Sequence, residues 1–387
     1  MNVFLTGATG FLGGELLVTL SKKREINKIY CFIRSQTIVD AYEKLEKIFA
    51  LHTDHYEKEK IIPILGNLQD EQLTASLKEN KVLDDVTIII HAAANTSFSR
   101  IYNKQVDDVN IVGLEKILLW AKELPQLQTF LYIGTATICG KNIRNRLVLE
   151  DESPNPEAEH LVRYTYTKMQ GEILLDKHLS AKEILIARPS IIMGDSRKIL
   201  PRSPIILWTV ATINQLRLIP VDEHALMDMI PVDFAAAAIV GLLFAKRNHH
   251  VYHISSGIDA ATSAYKLSLS LSSFFTDKPP FQFVNKKMIE HIKRLSKGHL
   301  STDSELHNYP VYLEYWNQIF PDPGALRILL AGLEPYLKFM DLGQVFSNAR
   351  LFEDVPGLQQ SLPADIYINN CMGYIANIDT LAGAFDS

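Results

Sequence analysis

Short apolar runs separated by longer amphipathic stretches recur along roughly the first 260 residues of the chain. The runs Asn2–Thr6, Lys28–Ile33, Ile61–Leu65, Thr87–Ala92, Thr129–Ile133, Glu183–Ala187 and Val251–Ser255 read as strands. Several are continuous rather than alternating, as in Ile88-Ile89-Ile90. A strand covered by helices on both faces has that pattern. Between the runs, residues 37–51 place Ile38, Ala41, Tyr42, Leu45, Ile48 and Phe49 at three- and four-residue steps, which is one stripe of an amphipathic helix. Residues 104–124 repeat the behaviour with Val109, Val112, Ile117 and Trp120. Alternation of this kind predicts an α/β fold with a doubly wound parallel sheet.

Beyond about residue 260 the alternation stops and the pattern becomes mainly helical. Pieces such as Met288–Leu295 and Ala325–Ala331 are separated by Pro310, Pro321, Pro323 and Pro335, which reads as a set of broken helices. The chain of 387 residues, at about 150 per domain, suggests two or three domains. Hydrophobic residues are 47% and charged residues 21%, a balance that fills a core and excludes disorder. With 39 Lys and Arg against 44 Asp and Glu, the net charge of −5 speaks against nucleic-acid binding. The three cysteines, Cys31, Cys139 and Cys371, are far apart and form no CxxC, which fits a reducing compartment and no thiolate metal cluster. The longest interior apolar run, 234–245, is short of the roughly 20 residues that span a bilayer. No basic segment, apolar stretch and cleavage site of a secretory leader opens the chain. The expectation is a cytoplasmic protein without a transmembrane segment, with peripheral membrane contact left open.

Chemistry begins at the end of the first strand. The turn Gly7-Ala8-Thr9-Gly10-Phe11-Leu12-Gly13 joins that strand to a helix. Gly7 allows a tight turn, Gly10 lets backbone approach a diphosphate, and Gly13 lets the helix pack closely. The helix N-terminus then offers N–H groups and a positive dipole end to phosphate. An ordinary glycine-rich turn is the plainer alternative, but this context is that of a dinucleotide site. The second strand ends in Arg34-Ser35 with no acid, and the arginine fork suits the 2′-phosphate of NADP.

A second group lies further on. Tyr164 and Lys168 are four apart and share one helical face. An ammonium near a phenol lowers its pKa, which suits an acid catalyst near neutral pH. About 30 residues upstream, the strand ending at Ile133 runs through Gly134 into Thr135, which can present a hydroxyl at the carboxyl end of the sheet or satisfy its own turn. Twelve histidines show no metal-ligand spacing, so no metal is expected.

Taken in order, the turn beginning at Thr6, the segment His91-Ala92-Ala93-Ala94, Asn110 with Gly113, Thr135, and Tyr164 with Lys168 make residues 1–255 resemble an extended short-chain dehydrogenase/reductase. The resemblance implies a Rossmann-type NADP-binding domain over residues 1–258, carrying a substrate-region insertion about 195–230. It implies a mainly helical substrate or lid domain over 259–387. Tyr164 would be the proton donor, Lys168 would lower its pKa and hold the nicotinamide ribose, and Thr135 would hydrogen-bond the substrate oxygen. Cofactor contacts would come from Thr6, Gly7, Thr9, Gly10, Phe11, Leu12 and Gly13, from Arg34, Asn67 and Leu68, from Ala92, Ala93 and Ala94, and from Lys168, Pro189 and Ser190. Asn110 would be structural.

Within that superfamily, the stretches 29–34, 91–98 and 229–234 resemble the thioester-reductase and fatty-acyl-reductase branch. The resemblance implies an NADPH-dependent reductase of an acyl thioester on coenzyme A or a carrier protein, yielding an aldehyde or alcohol. Gly134 stands where that branch often has Ser, and Arg163 and Gly171 are unusual beside the active-site helix. The aromatics Tyr309, Tyr312, Tyr315, Trp316 and Phe320 either line an acyl cavity or form a small helical core. The cations Lys286, Lys287, Lys293, Arg294 and Lys297 either dock an anionic partner or form a solvated face. Two other readings remain: a nucleotide-sugar epimerase or dehydratase on the same scaffold, and a non-catalytic NADP-sensing regulator.

Overall fold

The computed structural model describes residues 1–197, 204–299 and 302–384. Seven parallel strands form the centre: β1 Asn2–Thr6, β2 Lys28–Ile33, β3 Ile61–Leu65, β4 Ile88–His91, β5 Thr129–Ile133, β6 Ile184–Pro189 and β7 Val251–Ile254. Their spatial order is β7-β6-β5-β4-β1-β2-β3, the doubly wound arrangement expected from the apolar runs. Direction along the sheet reverses between β1 and β4, and open α/β sheets bind ligands at that crevice, outside the carboxyl ends of the strands.

Helices cover both faces, which is why the strand sequences do not alternate. On one face Leu5, Ile29, Ile90, Leu131 and Leu185 pack against α1 (Phe11–Ser21), α2 (Ile38–Leu51) and α8 (Val232–Phe244). On the other, Phe4, Tyr30, Ile89, Phe130 and Tyr132 meet α3 (Leu73–Glu79) and α5 (Gly113–Ala121). The long apolar run near residue 240 is α8, buried in the core against α1. No helix among the described residues is long and apolar enough to cross a membrane.

The helix expected over 104–124 is divided. It begins as α4 (Asn103–Asp107), widens into a π-turn at Asp108–Val112, and resumes as α5. The π-turn carries Asn110, whose side chain bonds two other segments, and such turns commonly mark functional sites. α6 follows as Arg163–His178.

A second core holds the helical C-terminal region, with Trp208 of α7 (Pro204–Leu216), Trp316, Leu329 and Leu333 buried in it. The helices predicted as broken pieces are longer than expected: Pro323–Met340 is one helix with Pro335 inside it. Pro335 removes one backbone hydrogen bond, but Leu333, Tyr336 and Leu337 are buried on either side and hold the helix together. Residues 198–203 of the expected insertion lie outside the described residues. The chain then returns to the first region, where Gln344–Phe346 pairs in parallel with Arg146–Val148 as a separate two-stranded sheet and Leu351 enters the first core.

Close packing of α6 on β5 depends on Gly171. A Cβ there would lie 2.1 Å from Tyr132 Oη and 3.1 Å from Leu114 Cδ2, and Tyr132 is buried with no space to retreat. Gly171→Ala is expected to lower the unfolding free energy by about 1–3 kcal/mol through overpacking, as read from urea denaturation.

Candidate active site

The turn after β1 is fixed by backbone and by Thr6. Thr6 Oγ1 accepts from Ala93 N at 3.1 Å and lies 3.2 Å from His91 Nδ1, tying the end of β1 to the end of β4. Burial pushes His91 down to about 3, so its ring is neutral at physiological pH. Gly7 has φ +76°, and a Cβ there would lie 2.7 Å from Ala93 N. A Cβ on Gly13 would lie 2.0 Å from Gly7 O. Gly10 caps α1 with no side chain bonded to the first-turn N–H groups. Thr9 and Gly10 are exposed, and Phe11 and Leu12 are half-buried. A bare, uncapped helix N-terminus beside a position without Cβ fits a diphosphate.

At the carboxyl end of β5, Lys168 reaches back from α6. It is 3% exposed, its Nζ donates to Ile133 O at 2.7 Å, and it stands 4.8 Å above the centre of the Tyr132 ring. His91 stacks on the same tyrosine at 6.2 Å. Burial pushes Lys168 down to about 7, opposed by the Glu172 carboxylate one turn on. Tyr164 lies one turn before Lys168, half-buried, and burial raises its phenol above the ordinary tyrosine range. The expected lowering by the ammonium is therefore not what this state shows. Desolvation alone raises the phenol, and Lys168 is engaged with a backbone carbonyl. Thr135 is 7% exposed and begins the turn after β5, with Oγ1 3.0 Å from Thr137 Oγ1 and 3.4 Å from Pro189 O. The structure thus joins Thr135 to Pro189, and Lys168 to the strand that carries Thr135.

Two devices hold these elements. Arg188 donates to both oxygens of Glu172, at 2.9 and 2.7 Å, with the two side chains 3% and 1% exposed. This pair joins β6 to α6. Asn110 Oδ1 accepts from Asn95 N at 2.8 Å, and its Nδ2 donates to Asn95 O and Thr167 Oγ1, each at 2.9 Å. That joins the loop after β4 to α6, the structural part expected of Asn110. Ser190 donates its backbone N–H to Ile254 O and belongs to the sheet edge.

Arg34 and Asn67 stand apart from the Tyr164 end. They line a cleft of about 590 Å³ together with Ser35, Asp40, Lys44, Gly66 and Asp70. Leu68, next in the chain, is buried against Gly113. Lys44 and Asp40 were not singled out by sequence. Their signal was the i, i+4 spacing on the polar face of α2, opposite Ala41, Leu45 and Ile48.

Sequence reasoning also missed the aromatic wall beside Tyr164. Phe98 lies 6.3 Å from the Tyr164 ring and packs on Tyr336 at 4.7 Å and Phe339 at 5.2 Å, both on the helix containing Pro335. The expected aromatics sit elsewhere. Tyr312, Trp316 and Phe320 are buried in the helical core, and Trp316 Nε1 donates to Leu216 O at 2.9 Å. Two of the five cations are paired internally, Lys293 with Glu334 at 2.9 Å and Lys286 with Asp341.

A family model described as male sterility protein, an NAD-binding domain, matches residues 5–239. The chain belongs to this family. Fatty acyl-CoA reductase 1 of Homo sapiens is 27% identical over 298 residues, which cover 66% of this chain and 58% of the reductase. Fatty acyl-CoA reductase 2 of Mus musculus is 25% identical over 325 residues, 73% and 62% of the two chains. The chain thus spans less than two thirds of the length of these relatives. Among solved structures, the terminal R domain from the myxalamid PKS-NRPS biosynthetic pathway has a TM-score of 0.71 at 21% identity, covering 97% of this chain and 90% of that one. UDP-glucuronic acid 4-epimerase from Bacillus cereus in complex with NAD has a TM-score of 0.63 at 16% identity, covering 97% and 99%. Male sterility family membership and these shared folds agree with the extended short-chain dehydrogenase/reductase architecture implied by the motifs.

For this family member the unusual residues have structural reasons. A Cβ at Gly134 would approach Glu172 Oε1 to 3.1 Å, against the buried ion pair. Arg163 binds Asp107 at 2.7 and 2.9 Å and lies over the Tyr166 ring. Removing one member of the buried pair strands the other charge. Glu172→Ala is expected to cost about 3–5 kcal/mol in urea unfolding. The double change Glu172→Leu with Arg188→Met is expected to return most of that loss.

Proposed function

We propose that this chain is an NADPH-dependent reductase of acyl thioesters, acting in the cytoplasm on an acyl group carried by coenzyme A or a carrier protein. The product is an aldehyde, or an alcohol after a second round. The reading rests on one observation above the others: a half-buried Tyr164, one turn from a buried Lys168 at the end of β5, faces the aromatic surface of Phe98. Fatty acyl-CoA reductase relatives and the R-domain fold support it. The fold shared with NAD-bound epimerases supports a nicotinamide cofactor without choosing a substrate.

The residues present suit that cofactor. The uncapped N-terminus of α1 would take the diphosphate, and Arg34 with Lys44 would take a ribose 2′-phosphate. Bound NADPH supplies a hydride to the acyl carbonyl. Tyr164 Oη donates a hydrogen bond to the carbonyl oxygen and gives up its proton as that oxygen becomes negative. Thr135 Oγ1, released from Thr137, is the second donor. The resulting hemithioacetal loses its thiol and becomes an aldehyde, so the chain needs no cysteine nucleophile. Burial suits Tyr164 to this task, because the phenol stays protonated until the substrate oxygen draws the proton. Lys168 holds the nicotinamide ribose through its ammonium and stabilises the phenolate left behind.

Steady NADPH oxidation with acyl-CoA substrates of graded length, with product identification, tests the proposal. Tyr164→Phe should cut kcat by about 10²–10⁴-fold while leaving the Kd for NADPH nearly unchanged. Undiminished turnover would end the role given to Tyr164, and a lack of NADPH oxidation with any of these thioesters would favour a binding-only role. Arg34→Ala should weaken NADPH more than NADH.

A pH dependence follows from Lys168. With a folded-state pKa of about 7, its charge fades in the free protein as pH rises through that value. NADPH affinity, followed by fluorescence, should fall over the same interval. Lys168→Ala should bind weakly at every pH, with no such step.

A further inference from the structure

The cleft around Arg34 carries an anion of its own. Ser35 Oγ donates to Asp40 Oδ2, and Lys44 Nζ lies 2.7 Å from the same oxygen. Lys44 also reaches Arg34 O at 3.3 Å and Ser35 Oγ at 3.5 Å. Asp40 therefore holds two donors that line this cleft together with Arg34. Lys44 and Ser35 keep its carboxyl below the usual carboxylate range, so it is an anion at any physiological pH.

The end of β2 has no acid in sequence, yet the fold supplies one. Thr37 caps α2 by accepting from Asp40 N at 3.1 Å. That cap sets Asp40 in the first helical turn, where the side chain comes back toward Ser35 instead of out along the helix. An acid there is an acceptor for a ribose 2′-hydroxyl, and an arginine is a donor to a 2′-phosphate. Both chemistries stand in one cleft.

We propose that Asp40 is a coenzyme-selecting residue that makes the cleft dual: its carboxylate accepts the 2′-hydroxyl of NAD, and it competes with the 2′-phosphate of NADP for Ser35 and Lys44. This rests on the reading that the cleft holds the adenosine ribose. With NADP bound, Lys44, Ser35 and Arg34 would hold the 2′-phosphate, and Asp40 would have to give up Lys44 and Ser35. The preference for NADP is consequently smaller than Arg34 and Lys44 alone would set. Asp40 also stabilises α2, as an anion in the first turn and an i, i+4 partner of Lys44. That role moves the melting temperature and affects both coenzymes alike.

The test is the Kd of NADP⁺ and of NAD⁺, each by calorimetry, for the full chain and for Asp40→Asn, with melting temperatures alongside. The Asp40 side chain is 45% exposed and no core residue rests on it, so the variant folds. NADP⁺ is expected to bind roughly tenfold tighter to Asp40→Asn, and NAD⁺ roughly tenfold weaker, the scale of one charge at an exposed site. Shifts in the same direction for both, or no shift in either, would overturn the assignment while leaving the cofactor site standing. A full-length chain that bound neither dinucleotide would overturn the cofactor reading and this inference together.

Discussion

Lys168 is an amine buried to 3% exposure, and the geometry of the site follows from how its charge is accommodated when it is protonated. An unpaired buried ammonium costs several kcal/mol. Here it has the Ile133 carbonyl at 2.7 Å, the face of Tyr132 below it, and the Glu172 carboxylate a turn away. The carbonyl and the tyrosine both belong to β5, so α6 must lie close along that strand. Gly171 is the residue that allows the approach, because any larger side chain meets the Tyr132 hydroxyl. Glu172 in turn is held by Arg188 of β6, which spreads the constraint over three elements. Tyr164 is positioned as a consequence. It rides on a helix whose rotation and height are already determined one turn and two turns further along.

The same logic runs through the loop after β4. Asn110 satisfies both the N–H and the C=O of Asn95, which would otherwise lie open in a half-buried loop. To do so it sits in a π-turn, whose extra residue turns the amide toward the loop rather than along the helix face. Its third bond, to Thr167, links the loop to α6 next to Lys168. Phe98 follows three residues after Asn95, so the position of the aromatic wall depends on this amide. The aromatic wall and Tyr164 are thereby both tied to α6 through polar contacts.

Sheet and motifs were legible in the sequence because they are local. Continuous runs such as Ile88-Ile89-Ile90 announce strands covered on both faces, and the glycine turn shows in the spacing of Gly7, Gly10 and Gly13 after the first of them. Pro335 misled because local propensity was set against tertiary burial, and Leu333, Tyr336 and Leu337 won. Dense aromatics at 309–320 left a cavity lining and a small helical core equally open, and Tyr312 and Trp316 bond backbone carbonyls inside the helical core. The aromatics beside Tyr164 come from Phe98 and from Tyr336 and Phe339, and no periodicity relates segments so far apart in the chain. Asp40 and Lys44 lay on a readable helix face, but only the fold says that this face borders Arg34.

The C-terminal region is bound to the sheet by more than contact between helices. Asp228 is 2% exposed and accepts from Ser256 N at 2.8 Å, Ser256 Oγ at 2.9 Å and Phe346 N at 3.0 Å. One carboxylate thereby joins the segment before α8, the turn after β7, and the strand that pairs with Arg146–Val148. Moving this region as one body would leave a buried anion without donors, at a cost of several kcal/mol. Rotation of Phe98 or Phe339, both half-buried, breaks no such bonds. Local adjustment is therefore cheapest at the aromatic wall itself, while the three-way anchor at Asp228 holds the surrounding segments together.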